Sequence, residues 1–539
     1  MSWLKKKDMK RFMRQTEQAL KFPVPTRMLT NGEFTPSPQT KQQAEVEARL
    51  KAKASEYGKK LGLSRREFLQ TASGMAAAFL AMNEVFGEYF KVNPAEAADL
   101  ETAIARRVAM KGQFIFDDQT HHVRDTYKWE GLNFLRDFAK GNNPEKIPWN
   151  KTLIGEHPSL DNYKFHSYLR EIFLDSDTSI ALLSSFTADS AENMALTNDE
   201  MTATRDIVNR IAGTRRMYCH GMFWPPYPGN LEAMDRAAGV LKVDSWKGYT
   251  VGDPLGPSRY PWMMNGEKVT YPAYAKAVKL GVKNICVHKG LMPDNYEKAF
   301  EHWKYATVED LGKAAQDWPE LNFIIYHAAI RPLFDCVQAN ADFEKSGKLP
   351  WVDELSEIPA KFGVTNVYGE IGSAFGMTAV TYPKMSAYLM GRLIKGMGAD
   401  RVVWGSDSIW YGSPQWQLEA LRRLEIPADM QKKFGFRPLG PADGDVKKAI
   451  MAYNSARLYS VDMTADNRPV EDFQNDGLAQ LKADYEKAGP DRMEFYAAWF
   501  EKLNRDEMRI ASNRPSEFGA ARGEGDQTPN GERVRGMFA

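Results

Sequence analysis

The feature that most constrains this chain is an alternation of short apolar runs with stretches of helical periodicity, which begins near residue 112. The runs cover residues 113–116, 178–184, 215–222, 246–250, 282–287, 322–326, 364–370 and 401–405. Most neighbouring runs lie about 30–40 residues apart, the length of one strand followed by one helix. Eight such units predict a parallel sheet closed into a (β/α)₈ TIM barrel. The longer first interval predicts an insertion near residues 141–177.

An open doubly wound sheet is the main alternative architecture. It usually has fewer strand–helix units and a glycine-rich phosphate loop after its first strand. Neither GxGxxG nor GxxxxGK[ST] occurs in the sequence, so nothing favours nucleotide binding. The formal net charge is +1, which gives no basic surface for a nucleic acid. We therefore expect a small-molecule substrate and no nucleic-acid partner.

The barrel is predicted to occupy residues 112–465, with helical extensions at residues 1–111 and 466–539. The C-terminal extension is charged and helical and ends in a flexible tail. Near the start of the chain, apolar residues at roughly helical spacing stand beside lysines, which predicts a basic helix over residues 3–20. Such a helix lies on a membrane surface or docks on a protein partner, and both interpretations stay open.

Residues 64–97 resemble an export signal. The segment begins with SRREFL, continues with a weakly apolar stretch at 71–82 and ends with Ala95-Glu96-Ala97. A twin-arginine pair, an apolar stretch and an A-x-A site predict export to the periplasm, with a mature chain that starts at Ala98. The alternative is an amphipathic helix packed on the barrel of a cytoplasmic protein.

Four candidate ligands stand where predicted strands end. Three of the eight histidines, His121, His288 and His327, end the first, fifth and sixth strands, and Asp407 follows the eighth. Barrel active sites lie at the C-terminal ends of the strands. Histidines together with one carboxylate are a usual ligand set for a catalytic Zn²⁺ with an open position. We therefore expect these four side chains to converge on one divalent ion.

Three further residues are candidates for substrate contacts. Lys247 on strand 4 is a charged substrate anchor, the carbamylated bridge of a two-metal site, or the partner of a nearby carboxylate. His220 ends strand 3 and faces the mouth of the barrel if side chains alternate. Glu370 on strand 7 orients His327 or holds a loop.

Several local sequences resemble the amidohydrolase superfamily, in particular the mononuclear branch that includes aminocarboxymuconate-semialdehyde decarboxylase. They are WKGY at 246–249, VHKGL at 287–291, GEIGS at 369–373, WGSDS at 404–408 and NSARLY at 454–459. The resemblance covers about residues 112–462. It implies a metal-dependent TIM-barrel enzyme with a D-x-H-x-H motif on strand 1, histidines on strands 5 and 6, and an aspartate on strand 8.

The chain departs from this pattern at Gln119, which replaces the first histidine of D-x-H-x-H. Period-two alternation places Asp117, Gln119 and His121 on one face of strand 1. The metal is then held either by His121, His288 and Asp407 alone, or with Gln119 or Asp117 as an additional ligand. We expect zinc, with weaker binding than an imidazole at position 119 would give.

The resemblance implies a hydrolase that attacks an amide, ester or lactone carbonyl with metal-activated water, with Asp407 and His327 as the catalytic groups. A decarboxylase of an aromatic or unsaturated carboxylic acid, or a non-catalytic barrel subunit of a larger assembly, are the alternatives. A homo-oligomer is expected. Aromatic residues in the loops after strands suggest a hydrophobic or aromatic substrate; they are Trp224, Tyr227, Tyr260, Trp262, Trp410, Tyr411 and Trp416.

Overall fold

A parallel eight-stranded barrel forms the centre of the molecule. The computed structural model describes residues 22–25, 40–127, 163–189, 193–254, 258–292, 296–299, 301–331, 336–410 and 412–513. The basic helix expected over residues 3–20, the first part of the expected insertion, the C-terminal tail and Tyr411 lie outside these residues.

The eight strands follow one another around the barrel in chain order. They are β1 (Phe116–His121), β2 (Ile180–Ser184), β3 (Met217–Met222), β4 (Ser245–Tyr249), β5 (Asn284–His288), β6 (Asn322–Tyr326), β7 (Val367–Glu370) and β8 (Val402–Val403). The residues after β8 close the barrel, because Asp118 N donates to Trp404 O at 2.9 Å and Asp407 N donates to Gln119 O at 2.9 Å. The predicted TIM-barrel fold is confirmed.

Helices surround the barrel and extend beyond it at both ends. Those before the barrel are α1 (Lys41–Lys60), α2 (Arg65–Leu69), α3 (Ala72–Phe86), α4 (Pro94–Ala98) and α5 (Leu100–Met110). Those between the strands are α6 (Phe165–Leu169), α7 (Asn198–Ala212), α8 (Asn230–Gly239), α9 (Tyr271–Leu280), α10 (Tyr296–Ala299), α11 (Leu311–Asp317), α12 (Cys336–Ser346), α13 (Val352–Phe362), α14 (Ala374–Thr378) and α15 (Pro383–Met397). Those after β8 are α16 (Gln415–Arg423), α17 (Ala428–Phe434), α18 (Asp445–Lys448), α19 (Asn454–Leu458), α20 (Gly477–Lys487) and α21 (Arg492–Asn513).

Strand β1 begins where the predicted strand at 113–116 was expected to end. Its sequence is FDDQTH, and all six residues are buried. An apolar run does not mark this strand, because its polar side chains are buried among polar groups of the barrel and not among apolar ones. Asp118, for example, accepts a hydrogen bond from Ser455 Oγ at 2.8 Å.

The register of β1 against β2 is irregular in the middle of the strand. Asp117 pairs with Ala181, which packs in the outer core, whereas His121 pairs with Ser184. Residues 118 and 119 therefore lie opposite the single residue Leu182, as in a β-bulge. The expectation that Asp117 shares a face with His121 is wrong, because the extra residue reverses the alternation between them.

The N-terminal half of the barrel interior is filled with side chains. Residues at the strand starts form a cluster of Phe116, Ile180, Leu182, Tyr218, Ala452, Tyr459 and Phe473. A second interior cluster contains Cys286, Ile324, Tyr326, Tyr368 and Val403. With this end closed by packing, the strand C-termini are the end at which a substrate site can form.

Helices α1–α5 form a layer on the outside of the barrel. Nine residues of α3 are buried, including Ala76, Ala77 and Phe79. The segment that resembles an export signal is thus helical and packed. Among the described residues, no helix has the length and apolar character needed to span a membrane.

Candidate active site and metal centre

The four predicted ligands all lie at the C-terminal ends of the strands. His121 and His288 are the last residues of β1 and β5, while His327 follows β6 and Asp407 follows β8. All four side chains are buried. His327 and Asp407 also have left-handed backbone, with φ of 61° and 56°. Such strained conformations cluster at functional sites.

His121 and Asp407 form the first half of the site. His121 Nε2 lies 3.2 Å from Asp407 Oδ1. The other carboxylate oxygen, Asp407 Oδ2, accepts a hydrogen bond from the Ser373 hydroxyl. Gln119 Nε2 is 3.3 Å from the same His121 nitrogen. One imidazole nitrogen thus faces both a carboxylate and a carboxamide.

This arrangement fits a divalent ion. Two ligand atoms that are each about 2.1 Å from one ion lie about 3.0–3.4 Å apart, which brackets the distance between His121 and Asp407. Among the described residues, no donor lies within hydrogen-bond distance of the buried Gln119 Oε1. Amide orientation is a choice between nearly equivalent atoms, and with the amide turned over, three acceptor atoms would surround one point.

The ligand set is incomplete without that amide. In the parts of the chain that the structure describes, no three His, Cys, Asp or Glu side chains are grouped so that they could hold an ion. The predicted convergence of His121, His288, His327 and Asp407 on one ion stays a prediction, as does a ligand role for Gln119.

His288 and His327 form the second half of the site. His327 Nδ1 lies 2.9 Å from the Gly372 carbonyl oxygen, which only accepts, so this nitrogen carries the proton. His327 Nε2 is then an acceptor, and it lies 3.1 Å from His288 Nδ1. His288 Nδ1 therefore donates to it, which leaves the lone pair of His288 on Nε2, the atom available for an ion or a substrate.

Glu370 holds the backbone around His327. Its Oε2 accepts from His327 N at 3.1 Å, and its Oε1 accepts from Gly372 N at 2.5 Å. Glu370 thus fixes both the chain of His327 and the carbonyl that selects its tautomer. These contacts run through the main chain and agree with the loop-holding alternative, whereas an orienting contact with the His327 imidazole stays a prediction.

Lys247 is completely buried in the barrel interior, with Nζ 3.3 Å from the centroid of the Tyr326 ring and 5.1 Å from that of Tyr249. A cation over an aromatic face is stabilised when water is excluded. Tyr249 in turn stacks on His288, with ring centroids 4.6 Å apart. Lys247 therefore lies directly beside the candidate site.

Both ring nitrogens of His220 are engaged by the protein. Nε2 lies 2.9 Å from Tyr326 Oη, and Nδ1 lies 2.8 Å from Ser245 Oγ. A substrate contact by His220 stays a prediction and would have to replace one of these bonds. His122 points away from the site, since its Nε2 lies 3.0 Å from Thr204 Oγ1.

Burial sets the protonation of the site. It lowers the pKa of His327 to about 4, against the opposing charge of Asp407. It also lowers the pKa of His121 and brings that of His288 well below its usual value. All three imidazoles are therefore neutral near pH 7, which is the form that binds metals. Burial alone would raise the pKa of Asp407, but its hydrogen bond with His121 outweighs burial and lowers that pKa, so the carboxylate stays ionised.

Of the aromatic residues expected around a substrate, Trp410 contacts the candidate ligands. Its ring centroid is 5.4 Å from that of His121 and 5.3 Å from that of Tyr163. The other described residues of that set are mostly packed together. Trp224 stacks on Tyr227 with a centroid distance of 4.5 Å and meets Tyr260 at 5.5 Å.

Sequence reasoning missed Ser373 and Gln417. Ser373 binds Asp407 Oδ2; it ends the GEIGS sequence that resembles the family, but the sequence assigned it no role. Gln417, in α16, donates to Ser406 O at 3.1 Å, one residue before Asp407. No motif marks Gln417, because its partner is a backbone atom.

Buried histidines and an aspartate at the C-terminal mouth of a (β/α)₈ barrel lie where TIM-barrel enzymes have their active sites. In the comparison with family models, the model described as amidohydrolase matches residues 153–461. This match spans more than half of the chain, and the chain belongs to the amidohydrolase family. The predicted family and the prediction of an enzyme are confirmed, and the family's dependence on a metal supports the predicted divalent cofactor.

Solved structures with similar folds include three with low sequence identity. An uncharacterized TIM-barrel protein from Bordetella bronchiseptica is 14% identical, with a TM-score of 0.41, over 64% of this chain and 98% of that one. 2,6-Dihydroxybenzoate decarboxylase from Rhizobium is 13% identical, with a TM-score of 0.37, over 65% and 99%. 5-Carboxyvanillate decarboxylase from Novosphingobium aromaticivorans, with bound manganese, is 12% identical, with a TM-score of 0.38, over 66% and 99%. No curated protein matched the chain.

Proposed function

We propose that this chain is a metal-dependent hydrolase that acts on an amide, ester or lactone carbonyl of a small organic substrate. The observation that carries the proposal is the buried contact between His121 Nε2 and Asp407 Oδ1 at 3.2 Å. The neutral His288–His327 pair lies at the same end of the barrel.

His121, Asp407 and the reversed Gln119 amide would hold the ion. His288 Nε2 would join them after a movement towards His121, since the described histidine and carboxylate side chains are not grouped closely enough to hold an ion on their own. A divalent ion bound there supplies a Lewis acid for a carbonyl oxygen and acidifies water. Zinc is the ion that we propose, since histidine nitrogen and carboxylate oxygen are its usual ligands.

Asp407 and His327 would each carry out a different proton transfer. Asp407 is ionised and is positioned to accept a proton from water, while Ser373 holds its second oxygen. His327 is fixed by Gly372, so its Nε2, which accepts from His288 Nδ1, is the nitrogen that would take a proton from a reacting group and return it. General acid–base help of this kind is typically worth about 10²–10⁴-fold in rate.

Two residues would orient the substrate. The buried Lys247 ammonium places a positive charge beside the histidines, and it contributes to the lowered pKa of His121 and His288 after burial itself. Trp410 covers one side of His121. A substrate with a negative group and an apolar body would match both contacts.

Decarboxylation of an aromatic or unsaturated carboxylic acid is the second candidate. Lys247 favours it, because a buried cation next to neutral imidazoles is suited to hold a carboxylate. In that reaction His327 Nε2 would first take a proton from water, since the proton on Nδ1 is bound to Gly372, and would then pass it to the carbon that loses carbon dioxide. A non-catalytic barrel would need neither a bound ion nor an ionised Asp407.

Metal analysis followed by a substrate screen tests the proposal. Purified protein should contain about one divalent ion per chain, and it should hydrolyse members of a panel of lactones, esters and amides. Asp407→Asn should lose this activity while keeping the thermal midpoint within a few degrees. Release of carbon dioxide from aromatic carboxylates, with no hydrolysis, would replace the proposal by the second candidate. Absence of metal even after reconstitution would refute both.

A further inference from the structure

Residues 64–97 carry the sequence form of an export signal, but they are built into the fold. Phe68, Leu69 and much of α3 are buried, while Arg65 and Arg66 are exposed. The apolar stretch of a removable signal has no need of precise packing. Here Gly74 of α3 lies so close to α2 that an added Cβ would be 2.4 Å from Phe68 O.

The layer is joined to barrel helix α16 by main-chain bonds. Phe90 and Leu424 form an antiparallel bridge. On either side of it, Lys91 N donates to Arg423 O and Glu425 N donates to Tyr89 O, both at 2.8 Å. Asn83 of α3 secures this connection, because it both donates to and accepts from the main chain of Phe90.

Buried charges complete the contact. Arg423 Nη2 donates to Glu96 Oε2 at 2.5 Å, and both side chains are less than 10% exposed. Arg106 of α5 donates to Glu419 Oε2 at 2.7 Å. The Arg423 guanidinium also lies 5.6 Å from the centroid of the Phe79 ring. Loss of one partner from a buried ion pair leaves an uncompensated charge, which is strongly destabilising.

The effect on α16 reaches the candidate active site. All residues from 416 to 423 are buried, which is unusual for the outer helix of a barrel and requires a cover on its outer side. From within this helix, Gln417 Nε2 donates to Ser406 O at 3.1 Å. Ser406 directly precedes Asp407, so the position of α16 sets the position of the Asp407 loop.

We infer that residues 64–98 stay in the mature enzyme as a structural layer, and that Glu96 in this layer is a positioning residue for the Asp407 loop. The first part, that the layer is retained, is the structural half of the inference and does not depend on the proposed function. The second part, that Glu96 positions the Asp407 loop, is the positioning half and rests on the proposed function. Export, where it occurs, keeps the layer, because the twin-arginine pathway carries folded proteins.

The structural half is tested by mass spectrometry of the full-length chain, expressed in a bacterium with an active twin-arginine pathway. Folded protein from the cytoplasmic and periplasmic fractions is purified, and its intact mass and thermal midpoint are measured. We expect residues 64–98 to be present in every folded fraction. Folded protein that begins at Ala98 would overturn the inference.

A double-mutant cycle tests the contact itself. Glu96→Gln and Arg423→Gln should each lower the thermal midpoint by several degrees, and the double variant should fall no further than the more affected single variant. Glu56→Gln is the matched control, because Glu56 pairs with Lys60 in an exposed pair of the neighbouring helix α1. Equal effects of Glu96→Gln and Glu56→Gln would overturn the inference. If Glu96→Gln gives no soluble protein, Glu96→Asp takes its place, because it keeps the charge; it should be soluble with a lowered thermal midpoint. If both Glu96 variants are insoluble while Glu56→Gln is soluble, the result again supports a structural role of Glu96.

Binding of Co²⁺, followed by its visible absorption, tests the positioning half. Glu96→Gln should weaken cobalt binding several-fold at a temperature where it is fully folded, while Glu56→Gln should not. Unchanged binding in Glu96→Gln would overturn the positioning half. If the unaltered chain binds no cobalt, the proposed function and the positioning half fail together, whereas the mass and the midpoints still decide the structural half.

Discussion

At the scale of single residues, the candidate site depends on what surrounds His121 Nε2. This nitrogen lies 3.2 Å from Asp407 Oδ1 and 3.3 Å from the Gln119 side-chain nitrogen. A lone pair on His121 would be repelled by the carboxylate, and a proton there would be repelled by the amide NH₂. With the amide reversed, either a proton on His121 Nε2 or a bound cation satisfies all three groups.

Gln119→His should raise zinc affinity, because imidazole is a stronger zinc ligand than a carboxamide. We expect a tightening of at least about tenfold, which is roughly 1.4 kcal/mol. Calorimetric titration with Zn²⁺ measures it. Asp407→Ala and His288→Ala should abolish binding, and His302→Ala, outside the site, should not affect it. Equal affinities of the unaltered chain and Gln119→His would show that Gln119 is not a ligand.

Asp177→Asn should cost stability in a pH-dependent way. Burial alone would raise the pKa of Asp177, but Arg422 and Lys482 outweigh it and lower the pKa to about 2. Because this value lies below the unfolded pKa near 3.9, the stabilisation is present above pH 4 and is lost as the pH falls towards 2. The variant should lose about 2–3 kcal/mol at pH 7.

Urea unfolding at several pH values checks this sign. The difference between the unaltered chain and Asp177→Asn should shrink between about pH 4 and pH 2. Asp466→Asn is the control, because Asp466 is 78% exposed in its pair with Arg468. A difference that stays constant over this pH range would show that the carboxylate charge is not the cause.

At the scale of elements, apolar periodicity predicted the strands that are buried among apolar side chains. It missed strand β1, whose side chains are mostly polar. Strand β6, sequence NFIIY, has the predicted bounds. Strand β1, sequence FDDQTH, begins where the apolar run ends, because its partners are polar groups of the barrel interior. The rule that barrel active sites lie at the C-terminal ends of the strands located His121, His288 and Asp407 from sequence alone.

The irregular register of β1 could not be predicted. It depends on how residues after β8, such as Trp404, pair with β1 across the closure of the barrel. The contacts of Ser373 and Gln417 were hidden for the same reason, since each joins elements that are distant in sequence. A motif specifies residue types, whereas these contacts depend on the relative placement of two strands or of a strand and a helix.

Gly405→Ala tests the close packing of β7 and β8 around the site. An added Cβ would lie 1.9 Å from Glu370 Oε1 and 3.0 Å from Gln119 Cβ, so both side chains would have to move. We expect a loss of about 3 kcal/mol, the upper part of the range for overpacking, and weaker metal binding. Gly239→Ala, with nothing within 4 Å of its added Cβ, is the control and should be neutral or slightly stabilising. Equal denaturation midpoints for the two variants would contradict the close packing.

At the scale of the whole molecule, both extensions cover surfaces that a bare barrel would expose. The N-terminal layer covers α16, whereas the C-terminal extension packs near the starts of the first strands. Phe473 belongs to the cluster that contains Phe116 and Tyr218. The sequence predicted both extensions and a barrel domain over residues 112–465. These domain bounds stay a prediction. Homo-oligomer formation stays a prediction as well.

A chain that ends at residue 465 should be much less stable than one that ends at residue 513. The shorter chain loses Asp476, whose Oδ2 lies 2.9 Å from Arg216 Nε in a pair that is less than 10% exposed on both sides. It also loses Tyr496, which donates to His166 O at 2.6 Å. Removing one partner of a buried ion pair costs about 3–5 kcal/mol, and the loss of apolar packing adds to it.

The chain that ends at residue 513 keeps both contacts and is the matched control. Differential scanning calorimetry should show a midpoint near that of the full chain for the longer form and a clearly lower one, or no cooperative transition, for the shorter. Equal midpoints would show instead that residues 466–513 contribute nothing to the fold of the barrel.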